Sequence, residues 1–439
     1  MNHASCLRPV KSSLPGLRLC ALGTLLLAVV VSARATDVVD QVVAYVQAHP
    51  AGDVGGSFRA ADYRGDLHDL PIGVFDSGIG GLTVFEAIKA YDAHNNVTGA
   101  DGADGVPDFA NERFIYLGDQ ANMPYGNYTS AGHLDFLREL VLRDVLFLLG
   151  RRAAHLDTKG GLTLAEKPPV KAIVIACNTA TAVGLNDVRQ AIKSWGIPIY
   201  VIGVIEAGAH ATVTNGRPGG IAVFSTVATC SSEAYPRAIV QAAAEQQLAA
   251  RPVYQAGLPT LAAAIEGDPS IHLSTKEIVQ AEIRAFLAKR EAEHVQGQID
   301  TLVFGCTHYP LVRQEFAQAL AEEAKHPSSL LSPTVAFVDP AETTAAELYR
   351  TLTAQKLWAT KPVGAFDRFY ISVANPKSPG VQLDADGGLT KDYKYSRSPG
   401  QPGRDDTAVV LMGTDTLPAS GATLIRDHLP LTWAGIQKQ

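Results

Sequence analysis

Charge is scarce in this chain and basic charge never clusters. Asp, Glu, Lys and Arg make up 18% of 439 residues, the formal balance is −7, and no Lys/Arg run forms a stripe able to track phosphates. Nucleic acid is therefore not an expected partner. Cysteine is sparse as well, with five in all. Cys6 and Cys20 fall in an amino-terminal segment expected to be removed, which leaves Cys177, Cys230 and Cys306. Such an odd, small set does not describe a disulfide framework. A bridge between Cys177 and Cys306 is the bland alternative, but nothing in the sequence sets the short Cα separation that a disulfide demands. Cys230 reads as a passive buried thiol.

Also missing is an apolar run of the ~20 residues that span a membrane comfortably. The stretch from Leu19 to about Val31 is shorter, follows Arg8, Lys11 and Arg18, and precedes Ala33-Arg34-Ala35. That is the pattern of a secretory signal peptide cleaved after Ala35. The mature protein is expected to be periplasmic or secreted, with no stable membrane anchor once the leader is gone.

What the chain does have is a pair of hydrophobic runs that end alike, VKAIVIACNTATA (Val170 to Ala182) and IDTLVFGCTHYPL (Ile299 to Leu311). Each reads as a buried parallel strand delivering a thiol to the turn at its carboxyl end. Ligands of open α/β sheets sit at that edge, so two such thiols could face one ligand from opposite sides. Taking a proton from one face of a carbon and returning one to the other needs two acid/base groups, and cysteine serves as either. The chemistry this implies is racemisation or epimerisation.

The rest of the pattern is α/β. PIGVFDSG (Pro71 to Gly78) reads as a strand entering a glycine turn and a helix, and IAVFSTVAT echoes it in the second half. The expected fold is two similar three-layer α/β lobes with mainly parallel sheets and an active-site cleft between them. The expected boundaries are a signal peptide at 1–35, an amino-terminal arm at 36–69, lobe 1 at 70–200 plus 335–375, lobe 2 at 201–334, and a carboxyl-terminal extension at 376–439. Asp101, Asp104 and Asp108 lie in a loop at 95–109 that lacks the spacing and closing glutamate of an EF-hand, so it reads as a solvated loop.

Four motifs in series carry a resemblance: DSGIGGLTV (Asp76 to Val84), PYG (Pro124 to Gly126), ACNTATA (Ala176 to Ala182) and GCTHYPL (Gly305 to Leu311). Together the motifs resemble cofactor-independent glutamate racemase of the aspartate/glutamate racemase superfamily, over about residues 70 to 375. The leader and the last ~60 residues lie outside the resemblance and inherit nothing from it. The resemblance implies that Cys177 and Cys306 exchange the roles of base and acid, assisted by Asp76 and His308 respectively. It assigns substrate contacts to Asp76, Ser77, Tyr125, Gly126, Asn178, Thr179, Thr307 and His308, and less securely to Thr226, Thr229 and Glu266. The bland alternative for Ser77, Asn178, Thr179 and Thr307 is helix capping, a use compatible with substrate binding. No cofactor or metal is implied, and members of the family often form homodimers.

Glutamate is the favoured substrate because of CTHYP; aspartate, hydantoin or another acidic substrate is the alternative, since relatives acting on these share the paired thiols. The sequence DQANMPYGNY departs from the residues expected around PYG and could reshape specificity. The rival of another class is a non-catalytic periplasmic amino-acid-binding protein with the same cleft.

Overall fold

The strands reveal why the cysteines end where they do. A computed structural model of the chain describes residues 37–156, 161–326, 329–361 and 367–439. The expected leader lies outside these residues. Among them are β1 (Ile72–Asp76), β2 (Phe114–Gly118), β3 (Arg152–Leu156), β4 (Leu162–Glu166), β5 (Ala172–Ile175) and β6 (Tyr200–Gly203). The second half contributes β7 (Gly220–Ser225), β8 (Val253–Gly257), β9 (Ile299–Gly305), β10 (Leu331–Val338), β11 (Arg368–Ala374) and β12 (Thr407–Leu411). One sheet has the order β12-β11-β2-β1-β5-β6, a second has β10-β9-β7-β8, and β3 and β4 form a separate antiparallel pair. Every pairing in the two larger sheets is parallel except β11 with β12.

Side-chain alternation makes each sheet the middle of three layers. On β1, Phe75 packs on one face while Ile72 and Val74 pack on the other; on β5, Ile173 and Ile175 oppose Val174. The first face is covered by helices Val38–Ala48, Leu134–Leu149 and Asn178–Trp195, the second by Leu82–Ala90 and Pro340–Gln355. In the second sheet Ala222 and Phe224 face one cluster and Ile221 and Val223 the other. Each of these large apolar side chains contributes on the order of 1.5–3 kcal/mol by leaving water. The result is two pseudo-symmetric α/β lobes.

Both sheets reverse strand order at one point. In the first, the chain proceeds outward to β2 on one side of β1 and to β6 beyond β5 on the other; in the second, β7 leads to β8 and β9 to β10. The crevices at these switch points, β1/β5 and β7/β9, are where helices diverge and leave room for a ligand. Cys177 follows β5 and Cys306 follows β9, so each thiol stands at a switch point.

Several boundaries differ from the expectation. The segment expected as an arm contributes Val38, Val39, Val42, Val46, Phe58 and Tyr63 to the first lobe's core, so it is part of that lobe. Strand β10, split by the expected boundary at 334/335, lies wholly in the second sheet beside β9. The stretch before the Cys177 strand contains β3 and β4, which share one ladder. Of the expected extension, β12 extends the first sheet, and Ile425, Leu429 and Ile436 are buried in its second core cluster. Periodicity could not show this, because each of these pieces is too short to bury its apolar face without the rest of the lobe. Two helices, Val227–Ser231 and Ala234–Glu245, follow β7, with Glu233 at φ 55° between them. In the loop at 95–109, Asp104 accepts from the Asn96 amide and Asp108 from the ring and amide of His94. Among the described residues no group of three or more His, Cys, Asp or Glu is arranged to hold a metal ion, and no helix is long and apolar enough to cross a membrane.

Candidate active site

The turns after β1, β5, β7 and β9 meet around a small buried cavity of ≈ 20 Å³ lined by both Cys177 and Cys306. The two thiols are free, and each is about 5% exposed or little more (5% and 6%). Ser77, Tyr125, Gly126, Asn178, Thr179, Thr226, Thr307 and His308 complete the expected residues on its wall. Asp76, Thr229 and Glu266 are absent from that wall, and each stands one hydrogen bond behind it.

Cys177 is the amino-terminal cap of helix Asn178–Trp195, and its Sγ accepts from the Ala180 amide at 3.4 Å. Its other neighbour is Ser77, 3.7 Å from Sγ to Oγ. Burial pushes this thiol far up, and the charge of Asp76 adds to that against the hydrogen bonds from Ala180 and Ser77. Asp76 is fully buried at the end of β1; its carboxylate accepts from the Gly78 amide at 3.0 Å and from Thr307 Oγ1 at 3.4 Å. Burial raises its pKa, with the His308 charge and the Gly78 and Gly81 amides opposing.

The second half of the site is built differently. Cys306 Sγ lies 3.6 Å from His308 Nδ1, and His308 Nε2 lies 2.7 Å from Glu266 Oε1. Burial works against a charge on His308, but its hydrogen bonds to Cys306 and Glu266, with the charges of those groups, outweigh it and lift the imidazole well above its ordinary range. Glu266 is in turn held by Gln120 Nε2 at 2.9 Å. Glu266 thus orients an imidazole and does not line the cavity. A Cβ at Gly80 would lie 2.2 Å from the His308 ring, so the glycine-rich turn after β1 is what lets that ring lie flat against the first lobe.

Polar contacts across the cleft close the ring. Thr179 Oγ1 is 3.0 Å from Thr226 Oγ1 and 3.3 Å from Thr229 Oγ1, and the Tyr235 hydroxyl donates to Asn178 Oδ1 at 2.6 Å. Asn178 Nδ2 is buried and has no partner within the described protein, which leaves a donor beside the amides at the start of an 18-residue helix, a natural place for a carboxylate.

Tyr125 departs from its expected use. Its ring borders the cavity, but its hydroxyl points away from it, lying 2.5 Å from an Asp119 carboxylate oxygen and 2.7 Å from one of Asp144. Asp144 is driven well above the usual carboxylate range by burial and by the charge of Asp119, so this pair holds Tyr125 as a structural post. Sequence reasoning also missed Met123, Pro124 and Ala262 on the wall. Pro124 opens the PYG motif already singled out and Met123 precedes it; Ala262, Gln120 and Tyr235 carry no local signal.

A profile of the family described as Asp/Glu/Hydantoin racemase matches residues 150–348. Glutamate racemase of Chlorobaculum tepidum is 32% identical over 304 residues, which is 69% of this chain and 88% of that protein. Glutamate racemase of Pediococcus pentosaceus is 33% identical over 312 residues, 71% of this chain and 92% of that protein. The crystal structure of a glutamate racemase isoform, RacE1, from Bacillus anthracis aligns with 28% identity and a TM-score of 0.48, over 69% of this chain and 88% of that one. With two buried thiols on one cavity between twinned lobes, and with relatives of this likeness matched over most of their length, the chain belongs to the aspartate/glutamate racemase superfamily and is a racemase.

Proposed function

We propose that this protein is a cofactor-independent glutamate racemase in which Cys177 and Cys306 work on opposite faces of one Cα. The observation that carries the reading is that two free thiols, from the strand ends of two different sheets, line one cavity. One sulfur, as thiolate, takes the α-proton; the resulting carbanion takes a proton from the thiol on the other face, and the two sulfurs have then exchanged states. Reversal of roles runs the reaction in the other direction.

The surroundings support an asymmetric starting state. Cys177, pushed up by burial, is poised as the proton donor. An imidazolium at His308 is an electrostatic partner for a sulfur anion at Cys306. Asp76 acts as the proton relay on the Cys177 side, and Asn178, Thr179, Ser77 and Thr307 hold the substrate's carboxylates. The preference for glutamate draws on the CTHYP sequence and on the activity named for the matched relatives.

Incubation of the protein with L-glutamate in deuterated water should yield D-glutamate carrying deuterium at Cα. Absence of both the D-isomer and the label would overturn the reading and favour an amino-acid binder. Cys177→Ser and Cys306→Ser are each expected to lower kcat by at least ~10³-fold, since a positioned acid or base contributes roughly 10²–10⁴; a variant turning over at the wild-type rate would remove its cysteine from the mechanism. We also propose that the protein is exported, on the strength of the basic flank, short apolar core and Ala33-Arg34-Ala35. Sequencing of the mature amino terminus should begin at Thr36, and a mature chain retaining residues 1–35 would sink that proposal.

A further inference from the structure

The turn that carries Met123, Pro124, Tyr125 and Gly126 forms one wall of the catalytic cavity, yet its main chain is held from far along the sequence. Lys394 Nζ donates to the Met123 carbonyl at 2.7 Å, and the Tyr395 hydroxyl donates to the Pro124 carbonyl at 3.4 Å. Both residues lie on the short helix Lys391–Ser396. One residue beyond that helix, Arg397 is 4% exposed; its Nε donates to the Lys394 carbonyl at 3.3 Å, and its two terminal nitrogens reach three side chains: Asp406 at 2.8 Å, Asn122 Oδ1, and the Tyr128 hydroxyl at 3.1 Å. Asn122 and Tyr128 flank the turn on either side. A planar fork presents its donors from three separate nitrogens in fixed, diverging directions and so reaches partners that lie apart, whereas an ammonium offers all its donors from a single nitrogen.

The same carboxyl-terminal stretch reaches the second lobe. A cavity of ≈ 260 Å³ shares Met123 and Pro124 with the catalytic one, and its other walls include Glu266, Lys394 and Ser420. A Cβ at Gly267, next to Glu266, would lie 3.0 Å from Ser420 Cβ, and one at Gly421 would lie 2.9 Å from Ile79 of the turn after β1. The stretch from 391 to 421 therefore touches the Met123 turn, the turn after β1 and the helix that ends in Glu266.

We propose that Lys394 and Arg397 are positioning residues for racemisation, holding the Met123–Gly126 turn closed against the cysteine pair from a carboxyl-terminal segment that borders the cleft. The inference rests on the two-cysteine reading above. Neither residue touches the reacting atoms; each acts by fixing the wall against which the substrate is pressed. A shift of about 1 Å in such a wall can cost on the order of 10²-fold in rate.

The test uses Lys394→Met, which removes the donor to Met123, and Arg397→Lys, which keeps a charge opposite Asp406 and so preserves the buried pair while losing the fork. Two readouts are taken on the full-length protein: kcat and KM, and the rate at which N-ethylmaleimide labels each cysteine, followed by mass spectrometry. Cys230 is half-buried and lies outside the catalytic cavity, so it reports general loosening. Labelling of Cys177 and Cys306 is expected to rise at least fivefold in both variants with Cys230 unchanged, and kcat/KM to fall at least tenfold. Labelling and kcat/KM both within twofold of wild type in the two variants would overturn the proposal, as would a rise at Cys230 in step with the other two. Labelling needs no turnover. A wild-type protein inert toward glutamate would therefore sink the substrate reading, while the labelling ratios would still decide this one.

Discussion

His308 illustrates how much one side chain depends on its partners. Alone and buried, an imidazole would shed its proton; here the Glu266 carboxylate and the Cys306 sulfur reverse that balance. Because its folded-state pKa lies above the ordinary 6.5, the stabilisation it supplies is fully present below about pH 6.5 and is lost as pH rises through the folded value. Glu266→Gln removes the charge behind the ring and should lower that value. The alkaline limb of the kcat profile is expected to move to lower pH, with kcat reduced roughly 10- to 100-fold, within the range of acid/base assistance. An unmoved limb would show that Glu266 does not support the imidazole. The sequence showed His308 because it sits inside CTHYP. The role of Glu266 was less visible, since a carboxylate that orients another side chain and one that meets substrate look alike without coordinates.

At the level of turns and helices, the site depends on close approach. The turn after β1 passes so near the opposite lobe that Gly80 leaves no room for a side chain beneath His308. Gly80→Ala should push the ring off Cys306 and lower kcat by at least ~10²-fold, as expected for displaced catalytic geometry, with the melting temperature nearly unchanged. Wild-type turnover in this variant would mean that the ring moves aside without consequence. The strands leading to Cys177 and Cys306 were readable because mainly apolar runs rich in Val and Ile mark buried parallel strands. The strands β3 and β4 were not, because they are short, largely half-exposed or exposed, and mix Ala and Leu with Arg, His, Thr and Glu, and their pairing is fixed by neighbours along one ladder. The short helix Lys391–Ser396 buries none of its residues fully and so left no apolar stripe to find.

The two lobes together set the size of the site. A volume of ≈ 20 Å³ takes about one water molecule, far less than any amino acid. Substrate entry therefore requires the lobes, or the turns between them, to part and close again. Adding D-glutamate at saturating concentration should slow hydrogen exchange in the Met123–Gly126 turn and in helix Leu261–Glu266 by at least threefold. Exchange that is unchanged in both would indicate a rigid cleft. The cross-lobe hydrogen bonds Thr179 to Thr226 and Tyr235 to Asn178 would have to break and re-form in each cycle. Each is worth only about 0.5–1.5 kcal/mol, a barrier small enough for such motion.

The α/β class, the two thiol-bearing strand ends and the neighbouring polar turns were all legible along the chain, because burial with a short period and a cysteine at a strand's edge are signals confined to a dozen residues. Three things required the folded chain. The two thiols came onto one cavity through the pairing of β5 with β1 and of β9 with β7. The Tyr125 hydroxyl turned from the expected substrate toward Asp119 and Asp144. The carboxyl-terminal stretch, featureless by periodicity, became a support for the catalytic wall through Lys394 and Arg397. Each of these joins residues distant in sequence, where the direction of a side chain is set by packing and hydrogen bonding and leaves no mark on local composition.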